Sequence, residues 1–455
     1  MSDLLSIGRS GVVAYRAALA AVGENVANSE TEGYSRRTVT IKESNLSSSS
    51  SYQYKSQTYF GGANVGSVDR IANDYKASYV RLSISEDARA STKATWLSTA
   101  EGALNDTDVG LGVKMSTVFT SVEGLTADVD SNPNRQTVIA AVTEAAQQFN
   151  ATAKALKDTS DGINTAALTS VASLNDSLTA LAQINMGLRR ASPGSAASAQ
   201  LLDRRDAVLN DVSKIIGVDV RFEADGRASV AITGNSSVKL IDADRTDTAY
   251  LGVVQSTDGR ISLVASGALL GAQVPVSPQS GSIAALADVA STVADRRQKL
   301  DTIATSFATT INNWNRNGID QNGAPGADLL TLGTGGAATI VAATQDTTKV
   351  AAQSLAGVRN GNALELKNTR NSTGPEAQWA LLVSTHAQTV SSANAQATAA
   401  SSQKDGALLG LDEVTGVDLD VEAAQLLRFQ QAYGGSAKII QVARETLQEI
   451  LNLFS

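Results

Sequence analysis

The chain has 455 residues, and its 37 Lys and Arg against 45 Asp and Glu give a net charge of −8, which argues against a nucleic-acid partner. The absence of cysteine excludes disulfides and thiolate metal sites, and the length predicts two to four domains. Hydrophobic residues reach 42% while aromatic residues are only 4%, so the apolar content is mainly aliphatic, which favours an elongated, helix-rich protein.

The first predicted element is an amphipathic helix at the N-terminus. Asn28 and Gly33 follow it, and both residue types end helices in the left-handed conformation. No basic region precedes its apolar residues, so we expect no cleaved signal peptide. The apolar positions recur every seven residues, which is the pattern of a coiled-coil seam, at Leu5, Val12, Leu19 and Val26.

A strand and a series of helices are predicted next. Residues 37–42 alternate between polar and apolar side chains and predict a strand, and the serine run 47–51 predicts a flexible connector. Helical periodicity then recurs in five segments, which are 73–105, 111–129, 134–157, 168–190 and 198–216.

The pattern changes between residues 217 and 276. Apolar and polar side chains alternate on both sides of Asp225-Gly226, a turn sequence, which predicts a β-hairpin. Further strand-like pieces predict a small β-rich domain inserted into the helical chain. The uncharged stretch 261–287 is interrupted by two prolines, so we expect no membrane insertion.

Helical periodicity returns over 283–315 and 375–403, with Gly- and Asp-rich loops over 318–371 between them. Heptad stripes at both chain ends predict antiparallel pairing of the terminal helices, and their surplus apolar surface predicts assembly with further copies. A closed helical bundle is the alternative interpretation. The last helix has the strongest heptad pattern, at Leu419, Leu426, Phe429, Tyr433, Ile440 and Leu447.

These elements predict three units. A terminal coiled-coil assembly domain comprises 1–35 plus 415–455, a mainly helical rod-like domain comprises 36–216 plus 277–414, and the inserted β-rich outer domain is 217–276. The predicted fold is therefore mainly α, elongated and multi-domain, with the N- and C-terminal helices paired as a coiled coil.

No group of residues in the sequence predicts catalysis or metal binding. His386, the single histidine, has no carboxylate or second histidine at catalytic or ligand spacing. Asp203 and Asp206 flank two arginines, which predicts a helix salt-bridge network in which both carboxylates stay ionised. The residues around Asp320 do not fit the spacing of a calcium loop. We expect no catalytic residue, cofactor or metal.

The residues beside the terminal helices resemble one protein family. Residues 27–37, Ala-Asn-Ser-Glu-Thr-Glu-Gly-Tyr-Ser-Arg-Arg, are similar to the N-terminal signature of bacterial flagellar rod, hook and hook-associated proteins. Residues 417–422 and 427–433 resemble the C-terminal signature of the hook-associated protein 1 family. The matching signature residues are Asn28, Gly33, Tyr34, Arg428, Gln430 and Gln431.

The resemblance implies a structural subunit of the flagellum, outside the cell, that assembles between hook and filament. Its implied partners are copies of itself, the hook protein, and a second junction protein that leads to flagellin. Export without a cleaved signal and an export chaperone on the last helix are also implied, with Leu426, Tyr433, Ile440 and Leu447 as candidate chaperone contacts. The alternatives are a hook or rod subunit of the same superfamily and, less favoured, a flagellum-associated hydrolase.

Overall fold

The computed structural model describes residues 2–31, 33–45 and 60–453. The predicted serine connector at 47–51 lies outside the described residues. The described helices are α1 (Ser2–Ala27), α2 (Asp74–Ala103), α3 (Leu111–Leu125), α4 (Asn132–Arg190), α5 (Ala196–Ile215), α6 (Ser282–Arg316), α7 (Gly361–Glu365), α8 (Pro375–Thr415) and α9 (Leu419–Leu453).

The described strands are mostly short and form antiparallel sheets of two or three strands. In chain order they are β1 (Arg37–Asn45), β2 (Phe60–Arg70), β3 (Val218–Phe222), β4 (Ala228–Ile232), β5 (Asn235–Ile241), β6 (Tyr250–Gln255), β7 (Ile261–Ser266), β8 (Val274–Val276), β9 (Gly318–Ile319), β10 (Leu330–Leu332), β11 (Ile340–Ala342) and β12 (Gln353–Ser354). The mainly helical fold with a β-containing middle region is therefore confirmed.

The terminal helices α1 and α9 lie side by side and antiparallel, which confirms that the two chain ends pair. The hairpin of β1 and β2 packs along α1, where the Ser10 hydroxyl accepts a hydrogen bond from the Ala63 N–H at 3.1 Å. The neighbouring Gly62 has φ of +81°, and a Cβ there would lie 2.1 Å from the Ser10 Oγ. Glycine at this position is what lets the hairpin approach the helix.

The long helices α2, α4, α6 and α8 form the body of the molecule and enclose two hydrophobic cores. The first core joins α3, the beginning of α4, the end of α6 and the loops after it. Phe149 and Phe307 stack there with ring centroids 5.6 Å apart. The second core joins α2, the end of α4, α5 and the strands β3 to β8, through residues such as Leu97, Leu174 and Val230.

The region between residues 217 and 276 forms two three-stranded sheets, β3-β4-β5 and β6-β7-β8. The β3–β4 hairpin turns at Asp225-Gly226, where Gly226 has φ of +85°. The inner faces of both sheets belong to the same core as α4 and α5. These strands therefore complete a helical core and do not enclose one of their own, although the division of the chain into three domains stays a prediction.

Helix α4 differs from the sequence prediction, which placed two helices at 134–157 and 168–190. The structure has one helix of 59 residues over this region. Gly162 lies inside it, and a Cβ there would approach the Trp96 ring to 3.0 Å, so the glycine serves close packing and does not end the helix. Ion pairs from Lys154 to Asp158 and from Lys157 to Asp161 support the intervening turns.

Two more elements differ from the prediction. Helix α8 continues beyond residue 403 to Thr415, because Ala407 is buried against Val80 and Ile84 of α2. Strand β2 was not predicted, because its glycine-rich sequence has weak alternation. Among the described helices, none combines the length and apolarity needed to cross a lipid bilayer.

Candidate assembly site

The contact between α1 and α9 is made by small residues. A Cβ on Gly8 would lie 2.7 Å from the Ile440 Cγ1, and one on Gly11 would lie 2.5 Å from the Ser436 Oγ. Farther along the pair, the ring centroids of Tyr15 and Phe429 lie 6.5 Å apart. The buried positions of the helix pair are Gly8, Gly11, Ala14, Ala18, Ala21, Val22, Asn25, Glu422, Ser436 and Ala443.

The predicted heptad residues lie beside this small-residue contact. Four of them are exposed, namely Val26, Leu419, Tyr433 and Leu447. The other six are half-buried, namely Leu5, Val12, Leu19, Leu426, Phe429 and Ile440. Their role as an assembly seam stays a prediction. The spacing of three and four residues between Gly8, Gly11, Ala14 and Ala18 is the sequence signal that heptad reasoning missed, because a small side chain favours close helix approach over buried area.

A group of five polar residues, which we call the clasp, closes the end of the helix pair. The buried Asn25 amide donates to the Glu422 carboxylate at 3.1 Å and to the Arg37 carbonyl at 2.9 Å. Its carbonyl oxygen accepts from the Tyr34 hydroxyl at 2.8 Å and from the Arg37 N–H at 2.9 Å. The Arg36 Nε donates to Glu422 at 2.6 Å. Burial raises the pKa of Tyr34 to about 12.

The clasp continues into the body through ion pairs. Arg37 pairs with Glu24 of α1 and, at 3.3 Å, with Asp203 of α5. Arg70 of β2 bridges Asp203 at 3.1 Å and Asp206 at 2.6 Å. The predicted salt-bridge network therefore extends beyond its helix, contrary to the prediction, because arginines from β1 and β2 reach the two carboxylates. Burial also raises the pKa of Asp203 against the opposing effect of these arginines.

The signature residues fall into two groups. Asn28 donates from its backbone and side chain to the Glu24 carbonyl, at 3.0 and 2.9 Å, and Gly33 has φ of +77°, so both shape the turn that delivers Tyr34 to the clasp. The other three signature residues, Arg428, Gln430 and Gln431, are exposed on α9. The first group therefore shapes the structure of the single chain, whereas the side chains of the second group face solvent.

Apolar side chains on α9 remain in contact with solvent. A groove of about 450 Å³ runs along the helix pair between Leu4, Gly434 and Val442. Gly434 and Gly435 have no neighbour within 4 Å of a Cβ position, so these glycines make no close contact within the monomer. Further exposed apolar residues continue the surface on α9, namely Val421, Leu427, Ile439, Ile450 and Leu451. Such a surface is typical of assembly.

The candidate chemical residues occupy structural positions. His386 is buried, with its Nε2 3.0 Å from the Leu97 carbonyl and its Nδ1 accepting from Arg296 at 3.4 Å. Asp320 accepts from the N–H groups of Asn322 and Ala324, each at 2.9 Å, and forms a turn. Within the described ranges, no group of three or more potential ligands could hold a metal ion.

Comparison with known proteins identifies the family. The model of the flagellar hook-associated protein FlgK helical domain matches residues 97–330, and that of the flagellar basal body rod FlgEFG protein C-terminal region matches residues 406–453. The flagellar hook-associated protein 1 of Bacillus subtilis strain 168 is 25% identical over 497 aligned residues, covering 98% of this chain and 97% of that protein.

Two further relatives cover less of the chain. The flagellar hook-associated protein 1 of Salmonella typhimurium is 26% identical over 349 residues, which is 73% of this chain and 60% of that protein. The structure of the flagellar hook junction protein FlgK from Burkholderia pseudomallei matches in fold, with a TM-score of 0.51 and 22% identity over 56% of this chain and 47% of that one. Because the helical-domain model covers more than half of its residues, this chain belongs to the FlgK family of flagellar hook-associated proteins.

Proposed function

We propose that this chain is a structural subunit at the junction between the flagellar hook and filament, where copies of it assemble and join the two polymers. The observation that carries the proposal is the helix pair of α1 and α9, which leaves a long apolar surface in contact with water. In a chain of the FlgK family, copies of the same subunit are the natural cover for that surface.

The physical basis of this assembly is the burial of the exposed side chains of α9. Each Leu, Ile or Val removed from water contributes roughly 1.5 to 3 kcal/mol. Leu427, Ile439 and Leu451 are exposed in the single chain. Together with the groove beside Gly434, they leave apolar surface on several sides of α9 for neighbouring copies to cover.

We also propose that the heptad side of α9 contacts an export chaperone before assembly. Leu426, Tyr433, Ile440 and Leu447 remain the candidate contacts, and two of them, Tyr433 and Leu447, are exposed in the monomer. Masking this surface before export prevents premature association. Export without a cleaved signal, an extracellular location and contacts with the hook protein and a second junction protein are further parts of the proposal.

Deletion of the gene tests the proposed function. Cells are expected to keep their hooks, to lack filaments and to release flagellin into the medium, because the junction between the two polymers is missing. Electron microscopy of hooks and an immunoblot of the medium measure these outcomes. Filaments that persist on the deletion strain would contradict the proposal.

Subunit number separates the proposed function from a role in the hook or rod, since the rod-protein model matches residues 406–453. A junction subunit forms a short ring with few copies per flagellum, whereas a hook subunit forms a long polymer. Quantitative mass spectrometry of isolated hook–basal bodies, with hook protein as the internal standard, is expected to give far fewer copies of this chain than of hook protein.

A further inference from the structure

A cavity of about 430 Å³ lies away from the terminal helices, where α2, α5, β3 and the start of α6 meet. Hydroxyl groups of Ser78, Ser85, Ser213 and Ser280 line it. The Ser85 hydroxyl donates to the Ser280 hydroxyl at 3.0 Å. Helix α6 begins two residues after Ser280 and has no side-chain cap, so the positive end of its dipole lies near the cavity. The cavity is therefore polar.

Arg81 also lines this cavity and carries a charge without a partner. Its side chain is only 6% exposed. Among the described residues it makes no hydrogen bond and no ion pair, and its one specific contact is the Phe222 ring, 5.7 Å from the guanidinium carbon. Buried charges in folded proteins are normally paired, because removing a charge from water is costly. This guanidinium therefore has unused donors inside a polar cavity.

The neighbouring Arg205, in contrast, has hydrogen-bond partners for its guanidinium group. Its guanidinium carbon lies 4.0 Å from the centroid of the Phe222 ring. It donates twice to Asp206, at 2.9 and 2.7 Å, and once to the Gly226 carbonyl at 2.6 Å. Asp206 is thus already engaged by Arg205 and by Arg70. No carboxylate among the described residues forms an ion pair with Arg81, although the charges of Asp206 and Asp74 act on it.

The other charged residue of the lining, Asp219, does not neutralise Arg81. Its carboxylate accepts a hydrogen bond from the Thr233 hydroxyl at 3.2 Å. The charges that act on the pKa of Arg81 are those of Asp206, Arg205 and Asp74, while burial is the main cause that lowers it. The cavity consequently offers a cation and several hydroxyls to an incoming anion.

We propose that this cavity receives an acidic side chain from a neighbouring copy of the chain, whose carboxylate pairs with Arg81. The chain has 45 acidic against 37 basic residues, so the surface that any copy presents is rich in carboxylates. Tyr75 at the rim is 82% exposed, and Tyr79 and Leu82 are exposed beside it. Tyrosines around a buried arginine are the typical anchors of a protein interface. This inference rests on the assembly proposed above.

Chemical crosslinking in assembled flagella tests the proposed pair directly. Arg81→Lys keeps the positive charge and places an amine in the cavity, and a zero-length carbodiimide joins an amine only to a carboxylate in contact with it. Mass spectrometry of the dimer band is expected to find the position-81 peptide joined to an aspartate or glutamate peptide. The same crosslink is expected to be missing from the secreted monomer. Crosslinks confined to the same chain, or none, would overturn the proposal.

A second experiment separates an interface role from a role in monomer stability. Arg81→Gln removes an unpaired buried charge, so the purified chain is expected to melt at the same temperature as the wild type or higher. Completed junctions are nevertheless expected to fall about tenfold or more, the usual effect of losing an interface anchor. Arg221→Gln on strand β3 is the matched control, because Arg221 is exposed and the same charge is removed.

The outcomes distinguish the two proposals. If the gene deletion releases flagellin and Arg81→Gln supports filaments as well as the wild type does, the pairing of Arg81 between copies is wrong and the junction function stands. A parallel loss of melting temperature and assembly in Arg81→Gln would also overturn the pairing, since it assigns Arg81 to the monomer. If the deletion strain keeps its filaments, the junction function itself fails.

Discussion

The clasp shows how single residues connect the chain ends to the body. Glu422 is only 1% exposed, and its two oxygens accept from Arg36 and Asn25. A buried carboxylate is tolerated only while such donors surround it. Asn25 in turn holds Tyr34 and the backbone of Arg37. Each member of the clasp therefore supplies hydrogen bonds that the others need. This gives a physical reason for the family signature around Gly33 and Tyr34.

Removal of the clasp carboxylate is expected to loosen the terminal helices selectively. Glu422→Ala leaves the buried amide of Asn25 and the Arg36 guanidinium without their acceptor, which costs about 1 to 3 kcal/mol. Native-state hydrogen exchange is expected to speed up in α1 and α9 and to stay unchanged in α4. Asp420→Ala, at an exposed position of the same turn, is the control. An equal loss of protection in α4 would contradict a local role.

His386 is expected to make stability depend on pH. Burial lowers its pKa, against the opposing effect of the Leu97 carbonyl, and Arg296 lowers it further, so the folded chain binds a proton less readily than the unfolded chain. The unfolded state then binds more protons just below the ordinary histidine pKa of about 6.5. Stability from this group is present above that pH and is lost as the pH falls.

Thermal unfolding between pH 7.5 and 5 measures this effect. The difference in melting temperature between the wild type and His386→Gln is expected to shrink or reverse toward acid, because glutamine can bond to Leu97 and Arg296 without titrating. The nearby Glu101 favours the protonated ring and sets a limit to the shift. A constant difference across this pH range would show that His386 does not titrate there.

Between the elements, close approach of α1 and α9 depends on glycine. Gly11→Ala would place a methyl group 2.5 Å from the Ser436 Oγ and push the two helices apart. We expect lower protection of both helices by hydrogen exchange, and a cost of roughly 1 to 3 kcal/mol for the overpacked contact.

Gly434→Ala is the matched control for that substitution. A Cβ there meets nothing within 4 Å, so the change is expected to stabilise α9 by roughly 1 kcal/mol through helix propensity alone. Gly11→Ala is therefore expected to lower the stability of the helix pair, and Gly434→Ala is expected to raise it. If both variants stabilise α9, the contact between the two helices has room for a methyl group at Gly11.

Much of the element order could be predicted from periodicity, including the β-hairpin at Asp225-Gly226 and the long terminal helices. The break predicted between residues 157 and 168 is wrong, because α4 runs unbroken through this region and Gly162 packs against Trp96 there. The small-residue contact was missed for a related reason. A heptad of large residues marks buried area, whereas contact at Gly8 and Gly11 leaves no apolar signal.

Buried asparagines explain why the region 318–371 could not be predicted as more than loops. Asn312 bonds through its side chain to the backbone of Leu329 and Leu330, and Asn315 does the same for Ala327 and Ala351. These side chains satisfy backbone groups that would otherwise require strand partners. Their partners are distant in sequence, so no local pattern indicates them.

For the whole molecule, the exposed face of α9 is expected to matter for assembly and little for the single chain. Leu447 is 42% exposed, so Leu447→Asp is expected to leave the thermal melt of the purified monomer unchanged. In an assembled flagellum the introduced carboxylate would be buried against apolar neighbours at a cost of several kcal/mol. Cells with this variant are expected to release flagellin as the deletion strain does.

Two comparisons complete that experiment. Gln448→Asp adds the same charge at the adjacent exposed polar position and is expected to keep filaments. Leu426→Asp changes a half-buried residue, so it is expected to weaken both the monomer and its incorporation. Wild-type incorporation of Leu447→Asp would show that this face of α9 is not covered by neighbouring copies.

The unbroken helix α4 gives the molecule a mechanical property. At 1.5 Å per residue its 59 residues span roughly 90 Å, and its side chains enter both hydrophobic cores. One continuous helix therefore connects the two cores, with no hinge between them along its length. A movement of one core relative to the other would have to bend α4 itself, against its backbone hydrogen bonds.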